Sequence, residues 1–286
     1  MTFMDRGGID LENYFEVKRC EKWLYSIKDK MGVYCWLAVG EDSALLLDTG
    51  YGIGDLPGAV KNITAKPLTV VLSHGHADHA LGSDQFDKVY LHNADSAVIK
   101  EHCGEKWRQK ALTAIAAMGG KVGLHLKDID TEAYLRRSSG TTAPLREGEV
   151  FDLGGLVLHT VHMPGHTPGS CGLFAPKEKI LLTGDASNRA TFMFLPESLR
   201  MSQYLDTLRR VSLMDFTVHY VGHQDTAYPK KWFDKYIKVT ENALAGKGKP
   251  MKIPGFEEYE GIIVSSVGGP IVSPAFCAVA YTKEKL

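Results

Sequence analysis

The chain has 286 residues, 44% hydrophobic and 23% charged, with a formal net charge of −1. This is the composition of an ordinary soluble globular protein, long enough to bury a core without staples. It offers no basic footprint for nucleic acid, and no stretch approaches the roughly 18 apolar residues of a membrane span, so neither partner is expected.

Cys20, Cys35, Cys103, Cys171 and Cys277 are odd in number and include no C-x-x-C pair, which argues against a disulfide framework or a zinc knuckle. The opening residues 1–8 lack a cationic stretch followed by an apolar one, so no leader is expected, and the location read from these features is cytoplasmic.

In chain order, the apolar runs 33–39 and 44–47 flank the turn Gly40-Glu41-Asp42 and predict a hairpin, closed by Asp48-Thr49-Gly50. A buried strand is expected at 68–72 and a short one at 88–91. Residues 94–140 change character. Stretches 94–102, 105–118 and 128–137 have helical composition, with breaks expected at Gly119-Gly120 and Ser138-Ser139-Gly140. This predicts a helical insertion between strand-rich halves. It carries Lys100, Lys106, Arg108, Lys110, Lys121, Lys127, Arg136 and Arg137, which suit either a solvated face or a lid over an anionic substrate. Strands return at 149–152, 156–161, 171–174 and 180–182. An amphipathic helix follows at 199–213, then a strand at 216–221, a helix from about 229 to 244, and late strands at 262–264 and 275–281. The pattern predicts an α/β layered sandwich forming a single domain over 1–286.

Ser73-His74-Gly75-His76-Ala77-Asp78-His79 follows the 68–72 strand directly and packs three imidazoles and a carboxylate into six residues. Such nitrogen and oxygen donors suit zinc and similar divalent metals. His74 and His76 are two apart, so an extended backbone sends both to one side, while Asp78 and His79 can face an adjacent metal. Three later turns each follow an apolar strand and present His166, Asp185 and His223. Rigid scaffolds commonly present ligands from such loops. The full set suffices for two metals: three His on one, two His with Asp78 on the other, and Asp185 bridging.

The order His74-x-His76-x-Asp78-His79, then His166, Asp185 and His223, resembles the metallo-β-lactamase superfamily. So do Leu45-Leu46-Leu47-Asp48-Thr49-Gly50 and the stretch from Phe151-Asp152-Leu153-Gly154-Gly155 to Pro164-Gly165-His166-Thr167-Pro168-Gly169-Ser170, so that the likeness covers residues 30–240. The resemblance implies a four-layer αβ/βα sandwich with a dinuclear site at one edge. Asp185 stands where true class B β-lactamases carry Cys or Ser, and His76 departs from the H-x-E-x-D of flavodiiron members. The chain is therefore more similar to hydrolases related to glyoxalase II, the lactonases and the phosphodiesterases.

The resemblance implies two divalent ions, zinc first, with manganese or iron as alternatives. It also implies a shared hydroxide attacking a small ester, thioester or lactone, with Asp78 orienting it. Phosphodiester hydrolysis and iron-dependent persulfide oxidation are the alternatives. The expected partner is a small-molecule substrate, with a homodimer as a further option. Asp48 reads either as an acceptor for a ligand His or as a turn former. Segment 190–196 reads as a substrate wall or as core. Tyr228 reads as packing before substrate contact. His162 and His219 read as strand histidines, and His92, His102, His125 and His159 lack ligand context.

Overall fold

The computed structural model describes residues 14–253, 255–266 and 275–286; segment 1–8, where no leader is expected, lies outside them. Strands β1 (Glu16–Arg19), β2 (Leu24–Lys28), β3 (Tyr34–Val39), β4 (Ala44–Leu47), β5 (Leu68–Val71), β6 (Val89–His92) and β7 (Thr142–Leu145) form a sheet in sequential order. β1 to β4 pair antiparallel, and β4 to β7 pair parallel.

Parallel neighbours need crossovers. Helix α1 (Leu56–Lys61) joins β4 to β5, and α2 (Ala77–Ala80) lies between β5 and β6. Helices α3 (Ser96–His102), α4 (Glu105–Val122) and α5 (Thr131–Arg136) connect β6 to β7. The helical segment is therefore not an insertion between halves. It is a crossover inside the first sheet, because Val89–His92 pairs in register with 142–145. Strand β7 was not legible, as only Leu145 of its Thr-Ala-Pro-Leu is buried.

The expected break at Gly119-Gly120 does not occur, and α4 runs through to Val122. A helical glycine costs only about 1 kcal/mol, too little to end a packed helix. The stop comes at Gly123, whose φ of 67° is the left-handed turn-off that glycine adopts freely.

The second sheet contains β8 (Val150–Asp152), β9 (Val157–His162), β10 (Cys171–Ala175) and β11 (Ile180–Leu182). The chain then leaves for β12 (Ala190–Met193) and α6 (Met201–Ser212), and returns as β13 (Val218–Val221) and β14 (Gln224–Pro229). After α7 (Trp232–Leu244) come β15 (Lys249–Lys252), β16 (Glu260–Ser265) and β17 (Ala278–Tyr281). These join β12 in a third sheet, ordered β12-β17-β16-β15, which no local pattern announces.

Alternation along the strands assigns the layers. From β3 and β4, Cys35, Leu37 and Leu46 pack outward with Leu56, Ile99, Leu112 and Ile115 of the helices. Trp36, Ala38, Leu45 and Leu47 face inward onto Leu158, Leu173, Leu182 and Tyr220 of the second sheet. Both faces of β4 are buried, which is why it reads as an unbroken apolar run. The outer face of the second sheet, through Val161, Leu181 and Val221, packs on Leu208, Val211, Phe233 and Tyr236 of α6 and α7. Val264, Val279 and Tyr281 of the third sheet join that same core. The order is thus helix, sheet, sheet, helix, as expected. Trp36 ties the two sheets together, its Nε1 donating to Val221 O at 3.0 Å. The five cysteines are unpaired, four of them buried. Among the described residues no helix is long and apolar enough to cross a membrane.

Candidate metal centre

The parallel register Leu47↔Val71 puts the ends of β4 and β5 side by side, and the site begins there. Asp48 is fully buried with φ 70°, a conformation costly for a non-glycine residue and often held at functional sites. Its Oδ1 accepts from Ser73 N at 2.7 Å, and its Oδ2 from Ser73 Oγ and His79 Nδ1, both at 2.8 Å. Asp48 therefore serves as both turn former and His acceptor.

The hydrogen bonds fix which nitrogen each ring presents. Ser73 Oγ gives its proton to Asp48, so it accepts from His74 Nδ1 at 2.9 Å, leaving His74 Nε2 buried and unpartnered. His79 likewise spends Nδ1–H on Asp48 and leaves Nε2 without a hydrogen-bond partner. His166 Nδ1 donates to Phe192 O at 2.6 Å, and His76 Nε2 donates to Glu197 Oε1 at 2.8 Å. Their remaining nitrogens, His76 Nδ1 and His166 Nε2, then face each other at 2.8 Å. Two imidazole lone pairs at that distance repel unless a cation lies between them. His74, His76 and His166 offer donor atoms within 4.8 Å of one another, as do Asp78, His79 and His223. Orphaned and mutually facing nitrogens of this kind fit a metal site.

Asp185 lies between the groups. Its Oδ2 is 3.0 Å from His223 Nε2 and 3.9 Å from His166 Nε2, and its Oδ1 is 3.5 Å from His79 Nε2. Asp78 Oδ2 is 3.7 Å from His79 Nε2 and 3.5 Å from His223 Nε2. All seven sequence-predicted donors thus meet in one place. Gly222, just before His223, leaves the space they need: a Cβ there would overlap Asp185 Oδ1 and come within 2.7 Å of His79 Cε1.

Cation binding requires neutral imidazoles and ionised carboxylates, and His74, His166 and Asp185 are set that way. Burial, then the neighbouring rings of His79, His76 and His166, push His74 well below its ordinary value. Burial and His76 lower His166 to about 4. Burial opposes ionisation of Asp185, but His223 and His79 outweigh it and hold the carboxyl well below the usual range. His79 runs the other way. Burial lowers it, but Asp78, Asp185 and Asp48 carry it well above its ordinary value, because three carboxylates surround the ring and favour positive charge there.

Sequence reasoning missed the supporting residues. Asp95, fully buried just before α3, accepts from Gly75 N at 2.8 Å, Thr167 Oγ1 at 2.7 Å and Gly169 N at 2.6 Å. It clamps the His74–His76 loop to the His166 loop. Glu197 and His102 were missed as well. His102, read as lacking ligand context, has Nε2 2.8 Å from Glu197 Oε1. Distance along the chain hid it, since no spacing rule links positions 76, 102 and 197. The rival histidines stay outside the cluster. His162 stacks on His92 at 4.2 Å, and His219 is buried in β13 against Tyr236. Tyr228 is packing, its ring 4.7 Å from Trp232 and its OH donating to Gln224 Oε1.

The family model of the Metallo-beta-lactamase superfamily matches residues 29–223, the span that carries all seven donors. The chain belongs to that superfamily. Acyl-coenzyme A thioesterase MBLAC2 of Homo sapiens is 30% identical over 194 residues, covering 63% of this chain and 67% of that protein. The Bos taurus protein of the same name is 29% identical with the same coverage. Among solved structures, a metallo-beta-lactamase family protein from Thermus thermophilus superposes with a TM-score of 0.54 at 22% identity, covering 75% of this chain and 76% of that one. The sec-alkylsulfatase Pisa1 from Pseudomonas sp. reaches 0.60 at 15% identity, covering 81% and 42%. At these identities the solved structures show a shared fold.

Proposed function

We propose that this chain, acting as a single catalytic unit, is a dinuclear metal-dependent hydrolase of acyl thioesters or small esters and lactones. His74, His76 and His166 would hold one ion, Asp78, His79 and His223 the other, with Asp185 between. The carrying observation is that one carboxylate, Asp185, lies within 3.0–3.9 Å of histidines from both groups. The all-nitrogen-and-oxygen donor set, free of thiolate, suits zinc first and also accommodates manganese or iron. When bound, such ions supply Lewis acidity and make a water acidic enough to attack near neutral pH.

The chain's own groups do the rest. Asp78, with its side chain 26% exposed, lies on the open side of the cluster and takes the proton of the attacking water. Phe192 supplies the wall for the acyl group. Its carbonyl holds His166 and the residue is 41% exposed, with the Phe194 ring 5.4 Å from its own. Segment 190–196 is part strand and part core, and Phe192 would be its contribution to the wall. Thioesters come first because the relatives at about 30% identity are named acyl-coenzyme A thioesterases.

The test is a substrate panel on protein with measured metal content: an acyl-coenzyme A, p-nitrophenyl acetate, a lactone and bis-p-nitrophenyl phosphate. Thioester turnover at least 100-fold above phosphodiester turnover, about two zinc per chain, and loss of both in His76→Ala are expected. A preference for the phosphodiester, or iron with oxygen uptake on a persulfide, would overturn the reading.

A further inference from the structure

Glu197 lies outside the ligand motifs, yet its Oε1 accepts from His76 Nε2 and from His102 Nε2, both at 2.8 Å. His102, at the end of α3, is buried and stacked between His76 at 4.6 Å and Trp107 of α4 at 3.9 Å, with the planes 27° and 20° apart. The loop carrying Glu197 is strapped from several directions. Lys285 Nζ donates to Pro196 O at 2.9 Å and Ser198 O at 2.6 Å, on either side of it. Ser198 Oγ donates to His166 O, and Leu199 N to Gly165 O. The carboxylate is therefore held in place by the C-terminal segment and by the turn that bears another candidate ligand.

The consequence for His76 follows from imidazole chemistry. A neutral ring carries one N–H and one lone pair. With Nε2–H committed to Glu197, the lone pair is on Nδ1, the atom that faces His166 Nε2. We propose that Glu197 is a positioning residue that sets the tautomer and ring plane of His76 for metal ligation, with His102 as the second donor that locks the carboxylate. This rests on the dinuclear reading above. It makes the β6–β7 crossover part of the metal centre's support, since α3 and α4 supply His102 and Trp107. Carboxylates behind ligating histidines orient them and raise their basicity, and losing one typically weakens metal binding 10–100-fold.

His76, His102 and Glu197 would themselves be close enough to hold an ion. That would require His76 to ligate through both nitrogens, which a neutral ring with one lone pair does not do.

The experiment compares wild type, Glu197→Gln, Glu197→Leu and His102→Phe. Zinc affinity is read by competition with a chromogenic chelator, metal equivalents by mass spectrometry, and ligand geometry by the visible spectrum of the cobalt(II) protein. Glu197→Leu is expected to weaken the zinc bound by His76 by roughly 10–100-fold and to shift the cobalt bands. Glu197→Gln, which keeps an acceptor oxygen for both rings, should recover most of that affinity while still shifting the bands. His102→Phe, which keeps the stack but not the donor, should lose about threefold to tenfold. Should Glu197→Leu not fold, the other two variants decide by the same readouts. Unchanged affinity and cobalt spectrum across the folded variants would overturn the proposal. So would a third metal equivalent lost in His102→Phe. Wild-type protein that takes up no metal would instead sink the dinuclear reading itself.

Discussion

At the scale of single residues, space and protonation govern the site. Gly222 is needed for room, not for an unusual backbone angle: any Cβ would displace Asp185 and press on His79. Gly222→Ala should therefore fold, with unchanged circular dichroism, yet lose half or more of its bound metal by mass spectrometry. Wild-type metal content in that variant would mean that the Asp185 position is not required. His219 gives a separate handle on stability. Burial among aromatic rings holds it down to about 3, against 6.5 in the unfolded chain. Between those values the unfolded chain binds a proton that the folded chain refuses. The stabilisation from keeping His219 neutral is complete above pH 6.5 and drains away as pH falls toward 3. Each pH unit in that window costs up to about 1.4 kcal/mol, so roughly 2 kcal/mol is lost between about pH 6.5 and 5. Urea unfolding of His219→Phe across that range should show a slope smaller than wild type by about one proton.

At the scale of elements, the β6–β7 crossover is held by a buried cation. Arg108 of α4 is fully buried and donates to Leu81 O, Arg137 O and Ser138 O, while its guanidinium lies 4.9 Å from the Tyr134 ring of α5. The basic residues of this segment thus divide. Arg108 and Arg137, the latter paired with Asp84, are structural, whereas Lys106 and Arg136 face solvent. Arg108→Met fills similar volume but leaves three carbonyls without their donor. It should cost on the order of 3 kcal/mol in urea unfolding. A loss under about 0.5 kcal/mol would show that water replaces the guanidinium freely.

At the scale of the whole molecule, the candidate site joins two sheets. His74, His76, Asp78 and His79 come from the first, and His166, Asp185 and His223 from the loops of the second. Metal should therefore act as a cross-link that only the folded chain can bind. At 100 times its Kd a ligand adds about 2.7 kcal/mol. For a chain of this size, chelation should lower Tm by roughly 5–10 °C. Calorimetry with and without chelator checks this, and an unchanged Tm would mean that the halves close without the ions.

The seven candidate donors and an α/β layered sandwich were legible in the sequence because both are written locally, whereas the four-layer order came from the family resemblance. Within the first motif the donors sit one or two residues apart, and each ligand loop follows a short apolar strand. The unbroken apolar runs of β3 and β4 likewise announce a buried hairpin. The clamps were not legible, since Asp95, Glu197 and His102 meet their partners across long stretches of chain and obey no spacing rule. The third sheet was hidden for the same reason, because β12 pairs with β17, nearly ninety residues further along the chain. Short-range chemistry is encoded in order along the chain; the support around it exists only once distant segments share a core.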